Sequence, residues 1–202
     1  MRFKMSAVLA LAVSAALGIA PTMALAATEI AIFAGGCFWC VESDFDAVPG
    51  VVSTTSGYIG GTAENPTYHN HEGFREAVQI EFDPAKVSYP ALLDVFWHAV
   101  DPTDDGGQFC DRGHSYTTAI YAVGDKQLAE AGQSKQAIAA ELGKPIVTEI
   151  LAAPKFWPAE DYHQDYYKKN PLRYTFYRHG CGRDARIEAV WGAQAHKGIP
   201  AH

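Results

Sequence analysis

The segment Gly35-Gly36-Cys37-Phe38-Trp39-Cys40 constrains this chain more than any other. Thr28 to Ala34 (TEIAIFA) is apolar and β-prone, and the two glycines mark a turn or a close backbone approach. Phe38 to Phe45 then carries Val41, Glu42 and Phe45 at helical spacing. A strand must therefore pass directly into a helix, with Cys37 at the junction. Unpaired backbone N–H groups and the helix dipole favour an anion there, so the position is suited to a thiolate, the nucleophilic form of cysteine. Phe38 and Trp39 can wall an apolar pocket beside it.

The start of the chain reads as an export signal. Arg2 and Lys4 precede an uncharged stretch from Met5 to Ala20, Pro21 breaks it, and Ala24-Leu25-Ala26 forms a small-residue cleavage site. The expectation is a signal peptide over residues 1–26 and a single catalytic domain over residues 27–202. The apolar stretch is shorter than the roughly 20 residues of a membrane span. No cysteine follows the cleavage site, so no lipid anchor is indicated. The expected destination is the periplasm.

Removing 26 residues from 202 leaves 176, enough for one domain with its own core. The leader carries two basic and no acidic residues, so the formal charge moves from −7 to −9. Such a surface disfavours nucleic acid and anionic lipid as partners. With 48% hydrophobic residues the domain can fold without a disulfide framework, which frees some of its four cysteines for catalysis.

Further strands are predicted at 51–58, 76–83, 117–123 and 145–151. Helices are predicted at 88–100, from Asp125 to about Leu142, and at 159–169. Residues 101–115 form a polar loop long enough to be functional. The tail after Trp191 is expected to fray. The mixture of hairpin-length and crossover-length connections indicates α+β, a mixed sheet with helices packed mainly on it.

Gly-Cys-Phe-Trp followed by Val41-Glu42 resembles the signature of the A-type peptide methionine sulfoxide reductases. Four further segments agree in order: Ser56 to Gly61 (SGYIGG), Asn65 to Tyr68 (NPTY), Asp101-Pro102-Thr103, and Tyr116 to Tyr121 (YTTAIY). The resemblance runs from about Ile32 to Trp191. It implies a two-layer sandwich around a mixed sheet with a ferredoxin-like core. It also implies reduction of methionine S-sulfoxide, in proteins and free, without a cofactor or metal.

Sulfoxide reduction needs a soft nucleophile for sulfur, a proton for the departing oxygen, and a receptacle for the S-methyl group. Cys37 supplies the first. Glu76 matches the family's acid, although Gly73-Phe74-Arg75-Glu76 replaces the usual Gly-His-Ala-Glu; a buried carboxyl there would hold its proton near neutrality. Tyr68 and Tyr116 match the tyrosines that hydrogen-bond the sulfoxide oxygen. Phe38 and Trp39 match the methyl pocket, and Asp111 a contact to the substrate backbone amide. Trp157, Tyr162 and His163 fall in another family-like segment and are read as structural.

The reaction leaves a sulfenic acid on Cys37, which a second thiol must resolve. Cys40 stands where the family usually has glycine, and its i, i+3 spacing puts it on the Cys37 side of the helix. Cys181, flanked by glycines, resembles many family resolving cysteines. Cys40 is the favoured resolver, with Cys110 and Cys181 as a structural or relay pair. A thioredoxin-like reductant would recycle a monomeric enzyme. Two other classes compete. An exported CxxC thiol–disulfide oxidoreductase would leave the tyrosines and Glu76 without a role. A metal module on Cys37, Cys40, His69 and His71 would have spacing unlike ordinary structural zinc sites.

Overall fold

The computed structural model describes residues 27–200, so the proposed leader lies outside the described residues. Strand β1 (Glu29–Ala34) alternates as its pattern demands: Ala31 and Phe33 enter the main core, while Ile32 and Ala34 enter a smaller cluster on the opposite face. Helix α1 (Phe38–Asp46) follows after three residues. The turn needs glycine at Gly36, whose φ is +85° and where a Cβ would stand 2.7 Å from the Gln108 Cβ.

Strands β2 (Val51–Ile59) and β3 (Arg75–Phe82) pair antiparallel, with Tyr58 opposite Glu76. Glu76, Val78, Ile80 and Phe82 alternate onto the helix-covered face. Helix α2 (Tyr89–Trp97) is capped by Ser88, whose Oγ accepts the Ala91 N–H at 3.3 Å, with Pro90 in its first turn. Its Phe96 meets Phe33 at 5.0 Å between ring centroids, and Phe45 of α1 meets the same ring at 5.3 Å. Those three rings form the centre of the contact between sheet and helices.

A two-residue ribbon, β4 (Gly107–Gln108) and β5 (Asp111–Arg112), structures the predicted functional loop. Strand β6 (Ala119–Ala122), helix α3 (Asp125–Leu142) and strand β7 (Glu149–Ala152) follow, then β8 (Trp157–Pro158). The sheet order is β7-β6-β1-β3-β2-β8, antiparallel except for the β6–β7 pair. This is the expected α+β arrangement of a mixed sheet with helices. Among the described residues no helix is long and apolar enough to cross a membrane.

Three local expectations fail for identifiable reasons. The strand expected from residue 145 begins at Glu149, because the Val147 N–H donates instead to the Pro102 carbonyl at 2.9 Å. The helix expected over 159–169 shrinks to α4 (Tyr166–Lys169). Before it, the Gln164 side chain bonds both the N–H and the carbonyl of Ser56 at 2.9 Å, and Asp165 adopts a left-handed φ of 52°. That stretch serves the edge of β2 rather than a helix ladder. Helices α5 (Pro171–Gly180) and α6 (Arg183–Trp191) were not anticipated, and the described tail after Trp191, expected to fray, continues in a one-turn helix at Gly192–Gln194. Beyond them the His196 N–H donates to the His98 carbonyl at 2.9 Å, and Ile199 packs on the core.

Candidate active site

Seven residues singled out from the sequence, Cys37, Phe38, Trp39, Tyr68, Glu76, Asp111 and Tyr116, line one small cleft. Its free space is about 50 Å³. Cys37 caps α1, and its carbonyl accepts the Cys40 N–H at 3.1 Å. Glu76 reaches it from β3, Tyr116 from a one-turn helix at His114–Tyr116, and Asp111 from β5. Tyr68 is held by its own N–H, which donates to Glu160 Oε1 at 3.0 Å; the other oxygen of Glu160 accepts the Tyr58 hydroxyl at 3.0 Å. Glu160 therefore braces one wall of the cleft.

Glu76 is 2% exposed and accepts the Phe38 N–H at 3.0 Å. Burial pushes its carboxyl up to about 8, against hydrogen bonds from Phe38 and Tyr116 that pull it down. It therefore holds a proton at neutral pH, as an acid catalyst requires. Phe74 and Arg75, the departures beside it, leave the site intact. The Phe74 ring fills space that a Cβ on Gly61 would invade at 2.2 Å. Arg75 turns to the other face of the sheet, onto Thr117, Tyr121 and Glu149.

Cys37 and Cys40 are both free and buried. Burial pushes the Cys37 thiol well up, its hydrogen bond to Cys40 adds to this, and Tyr177 pulls the other way. Cys40 is held below the ordinary thiol range, first by the hydrogen bond from Cys37 and then, against burial, by Arg183 and Arg178. The expectation of a resting thiolate on Cys37 is thus corrected. The first N–H of the helix goes to Glu76, Cys37 makes no side-chain cap bond, and its thiol is buried.

Trp39 is fixed on three sides. Tyr166 stacks on it at 3.7 Å with planes 7° apart, Tyr177 meets it edge-on at 5.8 Å, and its indole N–H donates to His163 Nδ1 at 3.0 Å. Burial lowers the His163 pKa, in keeping with a neutral ring accepting that bond. Phe38 is 1% exposed and packs against His163 at 5.0 Å. Tyr162 rests on the His163 ring at 4.2 Å, and Trp157 sits in β8 opposite Tyr58.

Cys110 and Cys181 form a disulfide across 71 residues of sequence, and Cys110 is exposed. Neither lines the cleft, and Asp111 stands between them and Cys37: Tyr177 donates to Asp111 Oδ2, and the Cys181 Sγ lies 3.8 Å from that oxygen. Tyr177 completes the cleft and was not singled out from the sequence. His69 and His71 do not join the cysteines; His71 Nδ1 bonds the Tyr68 carbonyl at 2.9 Å and its ring stacks on Tyr58.

A thiol, a protonated carboxylic acid, phenol donors and an aromatic wall in one cleft define a thiol-dependent reductase. Comparison with known proteins narrows that class. The family model described as peptide methionine sulfoxide reductase matches residues 29–195. Peptide methionine sulfoxide reductase MsrA 2 of Rhizobium meliloti is 57% identical over 173 residues, covering 85% of this chain and 87% of that protein. MsrA of Bacillus subtilis is 52% identical over 172 residues, covering 82% and 97%. Among solved structures, methionine sulfoxide reductase A of Corynebacterium diphtheriae is 35% identical with a TM-score of 0.65, covering 72% of this chain and 76% of that one. Mxr1 of Saccharomyces cerevisiae in reduced form is 29% identical with a TM-score of 0.67, covering 71% and 86%. The chain belongs to the peptide methionine sulfoxide reductase family, in its A-type branch, and is an oxidoreductase that reduces methionine sulfoxide in protein repair.

Proposed function

We propose that the enzyme reduces the S epimer of methionine sulfoxide, free and in proteins, with Cys37 as nucleophile and Glu76 as acid. The observation that carries this reading is the meeting of a buried thiol and a proton-bearing carboxyl in one aromatic-walled cleft. Cys37 sulfur attacks the sulfoxide sulfur, Glu76 protonates the oxygen, and that oxygen passes to Cys37 as a sulfenic acid while methionine leaves. Tyr68 and Tyr116 donate to the oxygen, Phe38 and Trp39 enclose the methyl group, and Asp111 takes the substrate amide. Burial raises the Tyr68 hydroxyl above the ordinary phenol range and the Tyr116 hydroxyl further still, so they donate without ionising.

Cys40 then attacks the Cys37 sulfenic acid, expels water and closes a Cys37–Cys40 disulfide. Its thiol, held below the ordinary range, and its place beside Cys37 in one buried cluster support that role. Cys110 and Cys181 serve as a structural or relay pair, and the exposure of Cys110 suits exchange with a thioredoxin-like dithiol. The mature chain, cut after Ala26, acts as a monomer in the periplasm. The test is a single turnover with a methionine sulfoxide peptide. One methionine per enzyme together with loss of one thiol pair supports the scheme, and methionine release by Cys37→Ser overturns it.

A further inference from the structure

The sheet has a gap beside the cleft. Strand β1 pairs with β3 no further than Phe33 opposite Val78, and with β6 no further than Ala34 opposite Ala119, because the chain then turns into α1. The first residues of β3 and the residues just before β6 run past that end. Two of them carry parts of the site: Glu76 in β3, and Tyr116, which ends the one-turn helix at His114–Tyr116. In the sheet order β1 separates β3 from β6, so among the described residues no backbone ladder joins these two segments.

Arg75 crosses the gap. Glu76 points into the cleft, and Arg75, its neighbour on an alternating strand, goes to the opposite face and is 6% exposed. Its Nε donates to Thr117 Oγ1 at 2.7 Å, Nη1 donates to the Tyr121 hydroxyl at 3.0 Å, and Nη2 pairs with Glu149. Thr117 Oγ1 in turn donates to the His114 carbonyl at 2.8 Å, which also accepts the Thr117 N–H at 3.1 Å. The Tyr116 N–H donates to the Gly113 carbonyl at 3.0 Å. The turn that ends in Tyr116 is thus closed by the same hydroxyl that Arg75 holds.

We propose that Arg75 is a positioning residue for sulfoxide reduction: through Thr117 it sets the place of the Tyr116 phenol in the cleft. The inference rests on Tyr116 donating to the sulfoxide oxygen, and it gives a task to a side chain on the far face of the sheet. A guanidinium suits that task, because it is planar, keeps its charge and offers donors in fixed directions. A buried charge is costly unless partnered, and here each of the three nitrogens has a partner, with the exposed Glu149 supplying the counter-charge. Tyr121 and Glu149 belong to β6 and β7, so Arg75 anchors the Tyr116 turn to the body of the sheet. A cavity of about 320 Å³ lined by Arg75, His114, Thr117 and Glu149 lies beside this network. Polar bonds rather than dense packing therefore hold the turn on that side.

The test is single-turnover release of methionine by the full chain across a range of methionine S-sulfoxide concentrations. The variants are Tyr116→Phe, Arg75→Met, Thr117→Val, Thr117→Ser, and Tyr116→Phe combined with Arg75→Met or with Thr117→Val. Tyr116→Phe should lower the saturated rate by about 10²-fold, the low end for losing one preorganised donor. Arg75→Met and Thr117→Val should each lower it by about tenfold, within the roughly 10²-fold that a misplacement of about 1 Å can cost. Half-saturation should move by less than about threefold, since the phenol acts in the transition state. Thr117→Ser restores the hydroxyl without the methyl and should come within about threefold of the unsubstituted rate. Each double variant should be no slower than Tyr116→Phe alone, because no phenol is left to place. Should Arg75→Met fail to fold, Thr117→Val and its double variant read the same link. Full rate in Thr117→Val, losses that multiply in the double variants, or a Thr117→Ser enzyme as slow as Thr117→Val would each overturn the inference. An unchanged rate in Tyr116→Phe alone would instead overturn the role of the phenol on which the inference rests, so the two failures are told apart.

Discussion

The Glu76 carboxyl group accepts the backbone N–H of Phe38 at 3.0 Å, one residue beyond Cys37. This bond ties Glu76, the proposed acid, to the helix that begins at Cys37, the proposed nucleophile. It also consumes the helix donor that would otherwise have stabilised a thiolate. Burial thereby favours a neutral thiol on Cys37 and a neutral acid on Glu76.

Substituting the two groups should separate their tasks. Cys37→Ser removes the pathway and should release no methionine. Glu76→Gln keeps an acceptor for the Phe38 N–H but has no proton to give, and should slow single turnover by roughly 10²–10⁴-fold with little change in half-saturation. A Glu76→Gln enzyme with an unchanged single-turnover rate would reassign the acid.

The pH dependence follows from the sign of the Glu76 shift. The competent form is protonated, so it is fully present well below pH 8 and is lost as pH rises through about 8. Single-turnover rates of the unsubstituted enzyme should therefore decline on the alkaline side with an apparent pKa near that value. An ordinary carboxylic acid would instead lose activity near pH 4 to 5. A decline there, with a flat profile from pH 6 to 8, would show that burial does not set the proton on Glu76.

Recycling separates the cysteines. Cys40→Ser should still release one methionine per enzyme but stall with a thioredoxin-type donor, and a small dithiol should restore turnover by reaching the sulfenic acid directly. Cys181→Ser should keep turning over but lose stability, since the Cys110–Cys181 bridge closes a loop spanning 71 residues and bridges of this kind contribute roughly 2–5 kcal/mol. Peptide mapping after one equivalent of substrate should find a Cys37–Cys40 disulfide. A Cys37–Cys181 disulfide as first product would make Cys181 the resolver.

Much of the cleft was legible because its residues sit in short local motifs. Cys37, Phe38 and Trp39 follow one strand end, Glu76 opens an alternating strand, and Tyr68, Asp111 and Tyr116 lie in glycine- or proline-marked loops. Tyr177 escaped because nothing local distinguishes it from nine other tyrosines; only the packing of α5 against α1 and β5 brings it to Cys37. Glu160 was hidden for a related reason, since its partners Tyr58 and Tyr68 are 102 and 92 residues away in sequence. The thiolate expected at Cys37 failed at the same level. A helix N-terminus is visible in sequence, but the partner that takes its first N–H is not. The helix expected over 159–169 was overruled by Gln164, whose amide pairs with Ser56.

The most direct test is incubation of the protein, anaerobically and with a dithiol, with each resolved epimer of methionine sulfoxide, followed by quantification of methionine. The S epimer should be converted and the R epimer left intact, as the A-type resemblance implies, with Phe38 and Trp39 proposed to hold the methyl group and Tyr68 and Tyr116 the oxygen. Equal conversion of both epimers, or of neither, would contradict the account.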